Sequence, residues 1–536
     1  MANRSDEWKE RWTRLHTAYM ETWHTNLQGA SDVLADTWRT ELWSAVGMTE
    51  VGLWDFNFGE SKQAAKDLEA KMDHLEKLSD SKVDKNKPSF FGPEPTEKQL
   101  AAYIEGLVGL SYAHMARAIL RFRKQSMVKG GYYTRKSWVT LKEGYEALQL
   151  QEKLKYPEDE EVSGCIYFGM GFFNFLVSLV PPTLQFLVRL LGFEGDRAAA
   201  ITQLTRARDS RCVKRIEASL GLFALLRYFT DDEAGADVIL EGMIEDYPDS
   251  PMVLYLAALM FRFKAQTDRS ITLLSHAVEK AQHDQMRVTL NYHLGTTYVM
   301  VANYEKAYEH HKVFLDGTTG EQFKVWSNFQ SGLCQWFLSS GDKTRSSPHF
   351  QFVIDHGKSD QPLDKIAIRK SKDYFRAGET FTDFQVKLTL IQHIHEGQLW
   401  VRVIAEAKAA LPLAQTAEEK AALHYYIASA LQGSQKHTKA HKYYNKVLAA
   451  EPVVKSDNFT YIIPYTWAEL GETELALGNL AKAKELLKKA KKYEDYDWNN
   501  LLSVRISASL DKLGRREKAE KSPRPADTTA SAAPSQ

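Results

Sequence analysis

Apolar positions recur at helical spacing from the start of the chain. Trp8, Trp12, Leu15, Tyr19, Trp23 and Leu27 follow one another at steps of three or four, which draws a single aromatic stripe along one helix face. Leu34, Trp38, Leu42 and Val46 offer a second stripe for it to pack against. The polar side of the first helix mixes acid and base (Arg4, Asp6, Glu7, Lys9, Glu10, Arg11), so core packing is favoured over an interfacial membrane anchor.

Further along, the periodicity itself repeats. Asn291 to Phe314 reads NYHLGTTYVMVANYEKAYEHHKVF, in which Leu294-Gly295, Tyr298 and Ala307 reproduce the L-G-x-x-Y pattern of a tetratricopeptide unit with its small residue twelve positions after the Gly. Gly and Ala belong where the two helices of a unit approach closely, and large residues fill the space between them. Trp467, Leu470, Gly471, Ala483, Leu487 and Ala490 fit the same frame, as do Ala428, Ala440, Tyr444 and Pro452. So do Ala236, Leu240, Met243 and Pro248, then Ser270, Leu274 and Ala277. A degenerate unit follows around Gly332 and Gly341. The pattern predicts an all-α, tetratricopeptide-type solenoid of stacked antiparallel helix pairs, with almost no strand.

The array divides as follows: Trp-rich helices over 1–78, a Pro-rich loop over 79–99, further helices over 100–212, repeats over 213–356 and again over 357–513, and a disordered polar tail over 514–536. A second break is expected from Pro348 to Pro362. Val162 to Val188 carries no charge, but Pro181-Pro182 splits it too early for one straight spanning helix. It is read as a buried helix pair, with two alternatives. One is an apolar surface for lipid or a partner helix, using Phe172, Phe175 and Leu179; the other is true insertion.

Acids and bases balance at 69 each, so no global field draws nucleic acid or anionic lipid. The three cysteines, Cys165, Cys212 and Cys334, are scattered and fit a reducing compartment. No secretory or transit pattern opens the chain, and cytoplasm is the expectation. His393-x-His395-Glu396 lacks the spacing of a helical zinc pair, and His437 with His441 reads as structural. Gly169-x-Gly171 lacks a phosphate loop's third Gly, and the lysines from Lys482 to Lys492 read as a solvated face. No nucleophile–base pair or P-loop is present. The expectation is no catalysis, cofactor, metal, nucleic acid or small-molecule substrate.

In a tetratricopeptide array the first helix of each unit lines the concave face. In frame, this places Tyr228; Tyr255, Arg262 and Phe263; Tyr292 and Thr296; and Tyr425 in the groove. The lining is apolar and tyrosine-rich. It suits an apolar segment, either a partner helix or an insert of the chain itself. Protein partners of unknown identity are the first expectation, and peripheral contact with lipid or lipid droplets through 162–188 the second.

Several runs resemble the tetratricopeptide repeat protein 39 family, which includes the fungal inclusion-body clearance proteins. They are Lys129-Gly130-Gly131 with Trp138 and Lys142-Glu143-Gly144-Tyr145; Gly169 to Asn174 through Ser178 and Pro181-Pro182 to Gly192–Arg197; and Tyr461 to Lys492 with Arg505-Ile506. The resemblance spans about Asn57 to Leu513. It implies a helical repeat protein without known catalysis, with links to inclusion clearance, lipid homeostasis and cilia, and it supplies no site residues.

Overall fold

The computed structural model describes residues 6–59, 61–89, 92–178, 195–230 and 232–521, and within them all side chains but those of 6–8, 58, 59, 228 and 518–521. Among the described residues there is no strand. The contacts divide the chain into two units, Met1–Leu294 with Lys312–Lys324, and Gly295–His311 with Val325–Gln536.

The first unit begins with α1 (Asp6–Trp23), α2 (Leu27–Leu34), α3 (Leu42–Gly59), α4 (Lys62–Asn86), α5 (Glu97–Arg123), α6 (Met127–Lys153) and α7 (Glu160–Ser178). It continues with α8 (Arg197–Asp209), α9 (Arg215–Phe229), α10 (Glu233–Asp246), α11 (Pro251–Phe263) and α12 (Thr267–Lys280). α13 (Asp284–Met300) and α14 (Tyr304–Gly317) contribute residues to both units. The second unit adds α15 (Lys324–Leu338), α16 (Lys343–His356), α17 (Pro362–Arg376), α18 (Asp383–Glu396), α19 (Trp400–Ala410), α20 (Ala417–Gly433), α21 (His437–Ala449), α22 (Ile462–Ala476), α23 (Leu480–Ala490) and α24 (Asn499–Lys521).

One device recurs through both units. A residue in the left-handed region ends the first helix of a pair, and five positions later a small residue is sealed against that helix. The couples are Thr25 and Ala30, Ala265 and Ser270, Ala302 and Ala307, Gly341 and Ser346, Gln435 and Ala440, and Gly478 and Ala483. Gln125 with Gly130 close α5 onto α6 in the same way, and at the α18–α19 turn the larger Val403, also buried, follows Gln398. The positive φ redirects the chain sharply, and the small side chain lets the second helix pack back at close range. The pairing therefore includes α1–α2 and α5–α6, where the amino-acid pattern alone had shown no unit.

Three sequence boundaries shift. The expected Pro-rich loop over 79–99 is helical at both ends, because α4 runs to Asn86 and α5 starts behind the N-cap Thr96. The second break shrinks to 357–361, since Pro348 lies inside α16 and Pro362 opens α17. α24 continues to Lys521, so residues 514–521 of the expected polar tail are helical; 522–536 lie outside the described residues.

The Trp8 side chain lies outside the described residues, and the rest of the α1 stripe is core. Trp12, Leu15, Tyr19, Trp23 and Leu27 are all buried. α1 also reaches far along its unit: Tyr19 bonds Glu217, the Trp23 carbonyl accepts from Ser250, and Thr25 Oγ1 accepts from the backbone of Gln282. In the second unit α17 does the same. Arg369 donates to Asn458 Oδ1 at 2.9 Å and pairs with Asp497. A solenoid helix ordinarily touches only its neighbours, so each unit is braced by a helix of its own chain laid across several repeats.

At Gly471 a Cβ would stand 2.9 Å from Leu487 Cγ and 3.2 Å from the Leu487 backbone nitrogen. Gly471→Val is expected to cost about 1–3 kcal/mol by overpacking. Denaturant melting reads it, and an unchanged midpoint would remove Gly471 as the contact that sets the α22–α23 distance.

Candidate partner-binding surfaces

The groove residues read from the sequence separate into two kinds. On α11, Phe263 is 61% exposed, and Tyr255 and Arg262 are partly exposed. Tyr292 is buried, stacked on Phe323 with ring centroids 4.4 Å apart. Its neighbour His293 accepts or donates at 2.9 Å to the Tyr255 hydroxyl, so Tyr255, His293, Tyr292 and Phe323 form one aromatic row in the first unit. His293 and Phe323 had no signal in the repeat frame; Phe323 precedes its helix, at a positive φ that no glycine announces.

In the second unit Thr296 donates to Gln330 Oε1 at 3.1 Å. Tyr425 is buried and donates to Glu469 Oε1 at 3.2 Å. The side chain of Tyr228 lies outside the described residues. Of the apolar segment, α7 packs inward through Ile166, Met170 and Phe173, while Phe172 is partly exposed against Phe168 and Phe175 is nearly buried edge-on to Phe229. Leu179 lies outside the described residues. Among those residues no helix is long and apolar enough to cross a membrane.

A recessed site opens inside the second unit, beside α17. Its cavity of about 140 Å³ is walled by Phe329, Leu333, Phe381, Phe384, Leu388 and Phe459. Lys370, Asp373, Gln392 and Asn458 stand among these rings. The acids are already engaged: Asp373 accepts from Asn458 and Arg376, and Glu419 accepts from the backbone at the start of α20. The Lys370 amine donates to Gln392 Oε1 at 3.1 Å, and burial pushes it down to about 8. Such a site accepts a compact apolar group with a polar edge. Nothing in the sequence flagged it, because its walls come from α15, α17, α18 and the turn before α22.

The histidines singled out in the sequence are engaged by neighbouring side chains of the fold. Burial lowers His393 to about 3 while its Nδ1 meets the Tyr304 hydroxyl at 3.2 Å, and His441 faces Glu474. Among the described residues, no group of three or more His, Cys, Asp or Glu could hold a metal.

The profile of the Iml2/Tetratricopeptide repeat protein 39 family matches residues 26–396. The chain belongs to that family. The match takes in most of the Trp-rich start, which the sequence runs had left out, and ends before the C-terminal repeats that they included. With the helix pairs above, it makes this member of the Iml2/tetratricopeptide repeat protein 39 family a tetratricopeptide-type α-solenoid, an architecture suited to scaffolding protein interactions. Solved structures similar to it include yeast Tom70 (13% identity, 94% of this chain and 100% of that one, TM-score 0.25). The human IFIT1 dimer with PPP-AAAA (12%, 89% and 94%, 0.28) and the P58(IPK) TPR domain (12%, 83% and 98%, 0.21) are others. At such scores they decide nothing further about this family member.

Proposed function

We propose that the protein is a non-catalytic adaptor of the cytoplasm that holds protein partners on the inner helix faces of its repeats. The observation that carries the reading is the phenylalanine-walled recess of the second unit, which lies beside a helix the chain has already laid across its own repeats. A surface that takes one amphipathic helix of its own is chemically fit to take an apolar anchor from another chain. In the first unit, Tyr255 and Phe263 are the aromatic side chains best placed to meet such a partner. Inclusion clearance and lipid homeostasis are the processes in which we place the adaptor, on the family resemblance. Lipid contact through 162–188 is the second reading: of its described residues, Ile166, Met170 and Phe173 pack inward, whereas Phe172 is partly exposed and Leu176 exposed.

The test is affinity capture with Tyr255→Ala/Phe263→Ser and with Leu388→Trp, which fills the recess. Partners held by wild type are expected to drop roughly thirtyfold in affinity, the scale of losing a buried anchor, while circular dichroism stays unchanged. Equal capture by both variants would sink the groove.

A further inference from the structure

Among the described residues, fifteen large apolar side chains are exposed, and four of them lie around a single turn: Phe122, Met127, Val128 and Tyr132. α5 ends at Arg123, Gln125 reverses the chain at φ 55°, and α6 starts at Met127. The Phe122 ring covers Gly130, where a Cβ would come within 2.5 Å of it. At Gly131 nothing stands within 4 Å of the Cβ position. The apolar surface is thus continuous from Phe122 across the glycines to Val128 and Tyr132. Lys129-Gly130-Gly131, one of the runs that carry the family resemblance, lies in its middle.

The charge of this hairpin is one-sided. From Gly106 to Lys142 there is no Asp or Glu, against Arg117, Arg121, Arg123, Lys124, Lys129, Arg135, Lys136 and Lys142. Arg117, Arg121 and Lys124 are tied to Asp73, Glu76 and Glu69 of α4. Lys129 and Arg135 are exposed on either side of Tyr132, and the Lys136 amine sits 5.4 Å over the Tyr132 ring. Val128 is 87% exposed and stands clear of the fold. Apolar and aromatic side chains ringed by cations suit the headgroup region of an anionic bilayer, where tyrosine is stable and each basic residue gains from the surface potential.

We infer that the α5–α6 turn is a peripheral docking element for anionic membrane surfaces, inserting Phe122, Met127, Val128 and Tyr132 while Lys129 and Arg135 meet lipid headgroups. The inference is independent of the adaptor reading, because it uses none of the groove or recess residues.

The full chain should be sedimented with vesicles of phosphatidylcholine alone and of phosphatidylcholine with phosphatidylserine. Binding is expected to the mixed vesicles only, and to weaken with salt. Lys129→Gln and Arg135→Gln are each expected to lower partitioning roughly fivefold, and Val128→Ser/Tyr132→Ser to abolish it. All four positions are exposed, so circular dichroism should not change. Equal binding to neutral vesicles, no binding by wild type, or undiminished binding by both kinds of variant overturns the inference. A loss produced by Leu176→Ser on α7 instead would return lipid contact to 162–188. Loss of an acidic protein partner without any vesicle binding would make the turn a protein site and equally overturn it.

Discussion

Lys214→Met is expected to destabilise the first unit by about 3–5 kcal/mol, the scale of breaking a buried ionic cluster from one side. The Lys214 amine lies 3.1 Å from Glu50 and 2.7 Å from Glu217, and it also bonds the Tyr19 hydroxyl. Side chains of both Lys214 and Glu50 are under a tenth exposed. Removing the amine leaves the buried Glu50 and the partly exposed Glu217 without the cation they share. A shift of the urea midpoint reads the cost, and a midpoint within error of wild type would mean the cluster is far wetter than its burial implies.

The same cluster sets a pH dependence. Burial, and then the Glu217 charge, push the Glu50 carboxyl up to about 8, while Trp54 donates a hydrogen bond that works against them. One ammonium cannot neutralise two carboxylates, so Glu50 keeps its proton in the folded unit. Its folded value lies above its ordinary value of 4.5, so the unfolded chain gives up that proton first. Stability from Glu50 is then fully present below about 4.5 and is lost as pH rises toward about 8. Glu50→Gln keeps an acceptor for Trp54 and cannot ionise. The difference between wild type and this variant therefore isolates Glu50 from Lys214, and it should widen as pH rises from 5 to 9. A constant difference would show that Glu50 does not titrate in that window.

Much of this architecture was legible because close helix contact demands particular residues. Ala236, Ala307, Ala428 and Ala483 stand out in the sequence, and each is sealed in the structure. The α1 stripe was readable for the same reason, since apolar spacing reports which face is covered even when the covering element is distant. What covers it was not readable: Ser250 and Gln282 lie more than two hundred residues from α1, and no local pattern encodes such a distance. Nor were most turns. Gly341 and Gly478 announce a left-handed residue, whereas Ala302, Gln398 and Gln435 adopt it without any glycine, held there by the packing of the helices they join. Hence the pairs α5–α6 and α18–α19 were invisible to a search for the repeat's marker residues. The repeat frame places Tyr292 and Tyr425 in a groove, and in the free protein both rings are buried, because aromatic neighbours and a carboxylate from the next repeat close over them.

Tyr425 leads to the second large effect. Glu469 is 3% exposed and accepts from the Tyr425 hydroxyl at 3.2 Å, from the Tyr444 hydroxyl at 2.7 Å and from Arg505 at 3.1 Å. Glu469→Ala is expected to cost the second unit about 3–5 kcal/mol in guanidinium melts. Arg505 is not the main reason. Its side chain is 41% exposed and keeps Glu472, so its loss is screened and partly replaced. The two tyrosine hydroxyls are deeper. Tyr444 retains Gln432 at 2.6 Å, whereas Tyr425 loses the acceptor it is seen to use. A buried hydroxyl without an acceptor costs about 1–3 kcal/mol, and the cavity left by the carboxylate adds to it. Tyr425→Phe should then cost only about 1 kcal/mol, since it removes donor and demand together. If Tyr425→Phe instead matched Glu469→Ala in stability, the hydroxyl rather than the carboxylate would be the hub of this network. If it left stability untouched and abolished partner capture, Tyr425 would be a binding residue that opens to its ligand.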